Sequence, residues 1–522
     1  MKKMIGLWLA LLLGMTAAVG CTGASASDAG TAQTDEAIAI VAETDETSDA
    51  AQVVTAELTT EPASDDNMPP EPPDGMGTPP DGMGTPPDGM GEPPAGDPPE
   101  RPDGMGEPPS GGFGGSTSSF EYTAATEITS ADTQAEQTYA SETANESALI
   151  ISTTDAVAIT NPTVTKTGDS DGGDNCNFYG LNAAVLAKDG ASVTITGGTI
   201  TSSASGANGV FSYGGNGGNN GAAGDGTTVT ISDTAITTTG SGSGGIMTTG
   251  GGVTYANNLT VTTSGQSSAP IRTDRGGGWV YVDGGAYTSN GLGSPAIYST
   301  AEIHVANATL ISNLSEGVCI EGKNSIELTD CDLTANNTKC NGNATFYDTI
   351  MIYQSMSGDA DSGTSAFTMV GGTLTSKNGH VFHVTNTNAV ITLTGVTILN
   401  EDSENILLSV CADGWSGAGN IATLNAVNQT LSGTILVGSD STLTLHLSNG
   451  STFTGTISGE ITNAKGTTVS TAVGTVNVTL DDTSTWALTG DTYISTFTGD
   501  ASNVIANGYT LYVNGVALTG TK

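Results

Sequence analysis

From about residue 190 onward one arrangement of apolar and polar positions recurs. Two apolar residues flank a single residue, four residues follow, and then comes a third apolar residue, usually trailed by Thr or Ser. It reads Val193-Thr-Ile195-Thr-Gly-Gly-Thr-Ile200 and again Val229-Thr-Ile231-Ser-Asp-Thr-Ala-Ile236. Further copies begin at Val280, Ile303, Ile326, Phe367 and Ile391, and a copy one residue longer begins at Val253. Each unit also carries an upstream apolar stretch: Ala184-Val185-Leu186, Val210-Phe211, Ile246-Met247, Ile297-Tyr298, Val318-Cys319-Ile320, Ile350-Met351-Ile352 and Val381-Phe382. Period-two alternation predicts strands, and the Gly, Asn and Asp between them predict turns.

Most consecutive starts lie 23 to 27 residues apart, and the longer gaps mark loops inserted into a turn. A period of about 23 residues fits one coil of three short strands. Leucine-rich repeats share this length but need a Leu-rich frame, and a propeller blade needs about 40 residues. The pattern therefore predicts an all-β fold, a right-handed parallel β-helix solenoid whose coils stack about 4.8 Å apart. Some 15 coils are expected. Inward Val, Ile and Leu fill a narrow continuous core, and outward Thr, Ser and Asn form ladders.

After residue 420 the units tighten: Leu431-Ser-Gly-Thr-Ile435, Leu443-Thr-Leu445, Phe453-Thr-Gly-Thr-Ile457, Val476-Asn-Val478 and Trp486-Ala-Leu488. We read 120–420 as the main coils, with the cap and first coils in 121–160, and 421–522 as the last coils and closing cap. Open solenoid ends are exposed strand edges and need covering.

Composition changes sharply before this region. Of 19 prolines, 16 fall between Pro62 and Pro109, and 120–522 holds only Pro162, Pro270 and Pro295. Residues 21–119 carry 20 of the 54 Asp and Glu against one base, Arg101, with a repeated Pro-Pro-Asp-Gly-Met-Gly. Proline stiffness, like-charge repulsion and few large apolar side chains predict a disordered acidic tether. The start predicts export: Lys2 and Lys3, an apolar stretch from Met4 to Leu13, then Ala18-Val19-Gly20-Cys21. That run is too short to span a bilayer. Ala18-Val19-Gly20-Cys21 resembles a bacterial lipobox, which implies a lipoprotein signal peptide over 1–20 and acyl chains on Cys21. The membrane would then be a partner through the lipid anchor, with the chain on the extracellular face of a bacterial cell membrane.

Net charge is −42, which excludes nucleic acid as a partner. In 120–522, nine Lys or Arg stand against 34 Asp or Glu.

The chain resembles the pectin-lyase-like superfamily of right-handed β-helices. More closely, it is similar to bacterial extracellular β-helix proteins described as adhesin-like or carbohydrate-binding. The resemblance covers roughly 140–510. It is carried by Ala269-Pro-Ile-Arg-Thr-Asp-Arg-Gly-Gly-Gly278, Ser294-Pro-Ala-Ile-Tyr-Ser-Thr300, Glu321-Gly-Lys-Asn-Ser325, Ile350-Met-Ile-Tyr-Gln-Ser-Met-Ser-Gly-Asp-Ala360 and Val384-Thr-Asn-Thr-Asn-Ala389. It implies a fold and brings no catalytic residue with it.

Candidate ligand residues cluster in these segments. If Ile271, Ile297 and Ile320 stack inward, then Arg272, Tyr298 and Glu321 point outward along one face. Asp274, Arg275, Trp279 and Tyr281, Lys323 and Tyr353 lie close in repeat order. Aromatic rings stack on sugars while charged neighbours bond hydroxyls or carboxylates. The alternative is that Arg272 and Arg275 pair with Asp274, Glu321 or turn carbonyls and tie coils together. Asp169, Asp171 and Asp174 have oxygen-ligand spacing suited to Ca²⁺, without the rest of an EF-hand; Asp359 and Asp361 form a second candidate. His304, His380, His383 and His446 show no zinc spacing, and no Ser-His-Asp triad is assigned. Cys331 and Cys340 are near enough in sequence to pair, and buried free thiols are the alternative.

The expectation is a lipid-anchored surface protein that binds a polysaccharide or neighbouring surface glycan without turnover. The alternatives are a Ca²⁺-dependent polysaccharide lyase with Arg275 or Lys323 as base, and a purely structural spacer. A polyanionic substrate would be repelled by so acidic a domain unless Ca²⁺ bridged them.

Overall fold

The computed structural model describes residues 121–522. The signal segment 1–20, Cys21 and the tether 21–119 lie outside the described residues.

The expected coils are present as long parallel sheets stacked in the manner of a β-helix. On the first face thirteen strands pair in sequence order, among them Val185–Lys188, Val210–Tyr213, Ile246–Thr249, Ile271–Thr273, Ile297–Ser299 and Val318–Glu321. That is thirteen windings on this face where about 15 were expected. The second and third faces merge into one 22-stranded sheet, because Gly252–Thr263 and Gly278–Ser289 run through the corner between them as single strands. Among the described residues only two strand pairs are antiparallel, Glu460–Thr462 with Thr468–Thr471 and Leu511–Val513 with Val516–Ala517.

Alternation in the sequence becomes columns in the core. On the second face Val193, Val229, Thr254, Val280, Ile303, Ile326, Phe367, Ile391, Leu424, Leu445 and Val478 follow one another in register. All are buried, so each side chain packs on its counterparts one coil away. The four-residue gap in the repeat has a structural cause. Most coils turn between the second and third faces through left-handed residues: Asn161, Asp233, Asn258, Asn307 and Asp330 have φ between 48° and 56°, and Glu136 takes the same place in the first coil. Gly occupies the same place at 197, 284, 371 and 395. Only Gly, Asn and Asp take this conformation readily. The stacked corner side chains also bond, as Asn258 Nδ2 donates to Asp233 Oδ1 at 2.7 Å.

Two expectations about register require correction. Thr254, not Val253, lies in line with Val280, so the unit starting at 253 is offset by one residue and Tyr255 faces outward. Ile297 is in line with Val318 rather than Ile320. The residue following Tyr298 in the outward row is therefore Cys319, and Glu321 sits two positions further along its strand.

Much of the first face is covered. Its outward residues Ile150, Leu186, Phe211 and Met247 are buried together. The segment containing the short helix Asp174–Phe178 lies over them, its Phe178 carbonyl accepting from Thr249 Oγ1 at 2.7 Å. Further along, Phe346, Ile406, Cys411, Leu436 and Ile461 form a second covering cluster. All five described cysteines are unpaired, Cys331 and Cys340 included. Among the described residues no helix is long and apolar enough to cross a membrane.

Candidate functional site

Six of the predicted ligand residues form one polar network on the first face, and three of them, Arg272, Tyr298 and Tyr353, line a cleft of about 210 Å³. Arg272 Nη2 pairs with Asp274 Oδ2 at 2.7 Å, and its Nη1 donates to the Ser267 carbonyl at 2.9 Å. Asp274 Oδ1 accepts the Arg275 backbone N–H at 2.9 Å, and the Arg275 guanidinium pairs with Asp359 Oδ1 at 2.6 Å. It also lies 4.2 Å from the centre of the Phe178 ring. Glu321 is only 1% exposed. Its Oε2 accepts from Tyr298 Oη at 2.6 Å and Tyr353 Oη at 3.0 Å, while Oε1 accepts from Ser355 Oγ. Ser357 Oγ donates to Asp359 Oδ2 at 2.9 Å and joins the two halves.

Burial drives the electrostatics here. It pushes both tyrosines far above their ordinary range, reinforced by the Glu321 charge. It pushes Asp274 up to about 6 against the pull of Arg272. The network binds the 354–363 loop to the coils, and its charged groups are engaged with one another. Arg275 and Lys323, the two bases considered for a lyase, are both held in ion pairs, Lys323 with Asp361 Oδ2 at 2.7 Å.

Trp279 and Lys323 lie elsewhere, in a cleft of about 380 Å³ at the corner between the first and second faces. Gly276, Gly277 and Gly278 form its floor, with Asn220, Glu302 and Asn324 around it. Gly276 has φ +88°, and a Cβ there would come within 2.6 Å of Asn216 Oδ1. Its missing side chain lets the 214–226 loop cross the turn, where Asn220 Oδ1 accepts the Gly276 N–H at 2.9 Å.

Next to this cleft, on the second face, is a strip of which the sequence pointed to Tyr281 alone. Tyr255, Tyr281 and His304 are register partners on three successive coils. Their rings stack nearly parallel, with centres 5.2 Å and then 5.1 Å apart. His304 Nε2 meets Glu302 Oε1 at 2.8 Å, and Nδ1 meets Glu327 Oε2 at 3.1 Å. The hollow over the strip measures about 490 Å³, with Thr230, Asn257 and Asp283 on its borders. Tyr255 is 44% exposed and Trp279 38%. Thr230, in line with Tyr255 on the preceding coil, is too short to cover that ring's outer face. Trp279 and Tyr281 sit on the same strand, so cleft and strip make one surface.

Asp169 and Asp171 are occupied in tying coils together: Asp169 Oδ1 accepts the Ser205 N–H at 2.8 Å, and Asp171 Oδ1 accepts from Asn145 Nδ2 at 2.7 Å. Asp174 opens the short helix. Among the described residues no three His, Cys, Asp or Glu side chains converge as metal ligands. A cluster the sequence did not reveal joins His380, His383, Ser409 and Asp413. Ser409 Oγ lies 2.7 Å from Nδ1 of each imidazole, and His383 Nε2 lies 3.5 Å from Asp413 Oδ2. Burial and the neighbouring His383 push His380 down to about 3, so it is held neutral. Ser409 is wholly buried, and Asp413 also accepts the Thr345 N–H at 2.9 Å, so the cluster joins the segments around 345, 380 and 413.

Compared with family models, curated proteins and solved structures, the chain matches none.

Proposed function

We propose that this chain is a lipid-anchored, extracellular right-handed β-helix of the pectin-lyase-like kind, which binds a glycan without cleaving it. The lipobox-like Ala18-Val19-Gly20-Cys21 and the acidic tether supply the reading of anchor and spacer. A right-handed winding is what parallel crossover connections overwhelmingly adopt.

The observation that carries the binding reading is the exposed surface of Trp279, Tyr255, Tyr281 and His304, set among Asn, Asp and Glu side chains. Aromatic rings provide flat apolar area for the C–H faces of sugars. Nearby amides and carboxylates accept and donate to the hydroxyls, the combination expected of a carbohydrate site. Stacking on a rigid solenoid keeps these groups in place before a ligand arrives, which lowers the ordering cost of binding.

A glycan array followed by calorimetry on the best oligosaccharide tests this. Tyr281→Ala is expected to weaken binding by about thirtyfold, as for loss of a central aromatic anchor. Its melting temperature should stay close to that of the parent, because the side chain is outward-facing. Binding unchanged in Tyr281→Ala, or no binding to any glycan, would contradict the proposal. Release of unsaturated uronate products would replace it with the lyase reading.

A further inference from the structure

The charge pattern around the strip narrows the ligand class, an inference that rests on the glycan-binding reading. Carboxylates border the aromatic row on three sides. Glu302 and Trp279 are register partners along one edge. Asp283 follows Tyr281 on the opposite edge, one outward position along the strand, and accepts from Asn307 Nδ2 at 2.7 Å. Glu327 continues the row itself beyond His304. Glu302 and Glu327 are about half exposed, and a single imidazole lies between them. Among the described residues no Lys or Arg lines the hollow. Lys323, in the adjoining cleft, is paired with Asp361.

Such a surface repels uronate and sulfated chains. It leaves carboxylates partly uncompensated beside rings that can support a sugar, and charge complementarity then favours a ligand with positive groups. The coil rise gives the strip a repeat similar in length to one sugar unit of an extended chain. In an extended β-linked chain successive sugars alternate in orientation, so substituents at one ring carbon project to alternate edges. Ammonium groups there would meet Glu302 on one edge and Asp283 on the other. We propose that the strip takes a β-linked amino-sugar chain bearing free ammonium groups, in preference to its N-acetylated or uronate counterparts.

Calorimetry on the full chain with glucosamine hexamer, N-acetylglucosamine hexamer and a galacturonate oligomer tests the assignment. The expected result is that the free-amine hexamer binds at least about tenfold tighter than the N-acetylated one. The double variant Glu302→Gln/Asp283→Asn should abolish that preference, whereas Asp482→Asn, an exposed acid elsewhere, should preserve it. Equal binding of both hexamers, sensitive to Tyr281→Ala, would overturn the charge assignment and leave glycan binding standing. Absence of binding to every oligomer would overturn the amino-sugar assignment, and the glycan array then decides separately whether glycan binding stands. Free-amine binding that survives Tyr281→Ala, or that Asp482→Asn weakens equally, would also overturn the assignment by showing attraction to the acidic surface at large.

Discussion

Replacing Ile391 with Asp is expected to unfold the middle of the solenoid. Ile391 is wholly buried, between Phe367 and Leu424 in the second-face column. A carboxyl group there has no donor to meet and must either ionise in an apolar channel or remain protonated with its polar atoms unpaired. Either way the cost is several kcal/mol. Total stabilities are only about 5–15 kcal/mol, so such a loss is a large share of the whole. Because the strands of each coil pair only with those of the adjoining coils, the damage should begin locally and spread by loss of stacking. Limited proteolysis is expected to cut near residue 391 at temperatures where the parent is intact, with a lower melting midpoint by circular dichroism. Two substitutions calibrate the effect. Ile391→Val should cost about 0.5–1.5 kcal/mol. The adjacent Thr392→Asp, on the outward side, should stay within about 0.5 kcal/mol. If Ile391→Asp melted like the parent, the column would not be the core.

The second large effect is expected at Glu321. Its carboxylate is the shared acceptor for Tyr298, Tyr353 and Ser355. Glu321→Ala would leave these enclosed hydroxyls without it. At about 1–3 kcal/mol for each buried group left unsatisfied, a loss of about 3 kcal/mol or more is expected. Glu321→Gln keeps one acceptor oxygen and should lose less than half as much. The measurements are denaturant midpoints and protease sensitivity of the 354–363 loop, which Ser355, Ser357 and Asp359 attach to the coils. Parent-like behaviour of Glu321→Ala would mean that the loop is held by other contacts.

The fold was legible because its periodic positions are simple. Ile303, Ile326, Phe367 and Ile391 were assigned to one column from spacing alone, and they occupy one. The Asn, Asp or Gly between strands signalled a turn, and the structure shows many of those turns to be left-handed corners. Tyr281 was legible as a candidate, and its stack was not, for a local reason: in Gly-Val-Thr-Tyr, both Val253 and Thr254 are β-branched and either can open the strand. Taking Val253 as the inward residue turns Tyr255 into the core, and the stack with Tyr281 and His304 disappears.

On the first face the pairing of Arg272 with Asp274 and a turn carbonyl matches the coil-tying alternative, and the sequence did not show which outward residues a loop covers. Alternation says which side chains leave the core, yet not whether a distant loop then covers them. A signal was nonetheless present. Val185-Leu186, Val210-Phe211 and Ile246-Met247 put large apolar residues at adjacent positions, the pattern of strands buried on both sides. Arg272 and Tyr298 continue the row of Leu186, Phe211 and Met247, but they are only partly buried and line a cleft of about 210 Å³.

Both the fold and the strip depend on Tyr255, Tyr281 and His304 lying directly in line on successive coils. Cysteine cross-linking tests that alignment most directly, since a disulfide forms only when the two Cα atoms are within about 7 Å. Tyr281→Cys combined with His304→Cys should oxidise to an intramolecular disulfide under mild conditions. Tyr281→Cys combined with Ala306→Cys, two residues out of line, should remain reduced. Cross-linking of the second pair in preference to the first would contradict the alignment and, with it, the binding strip.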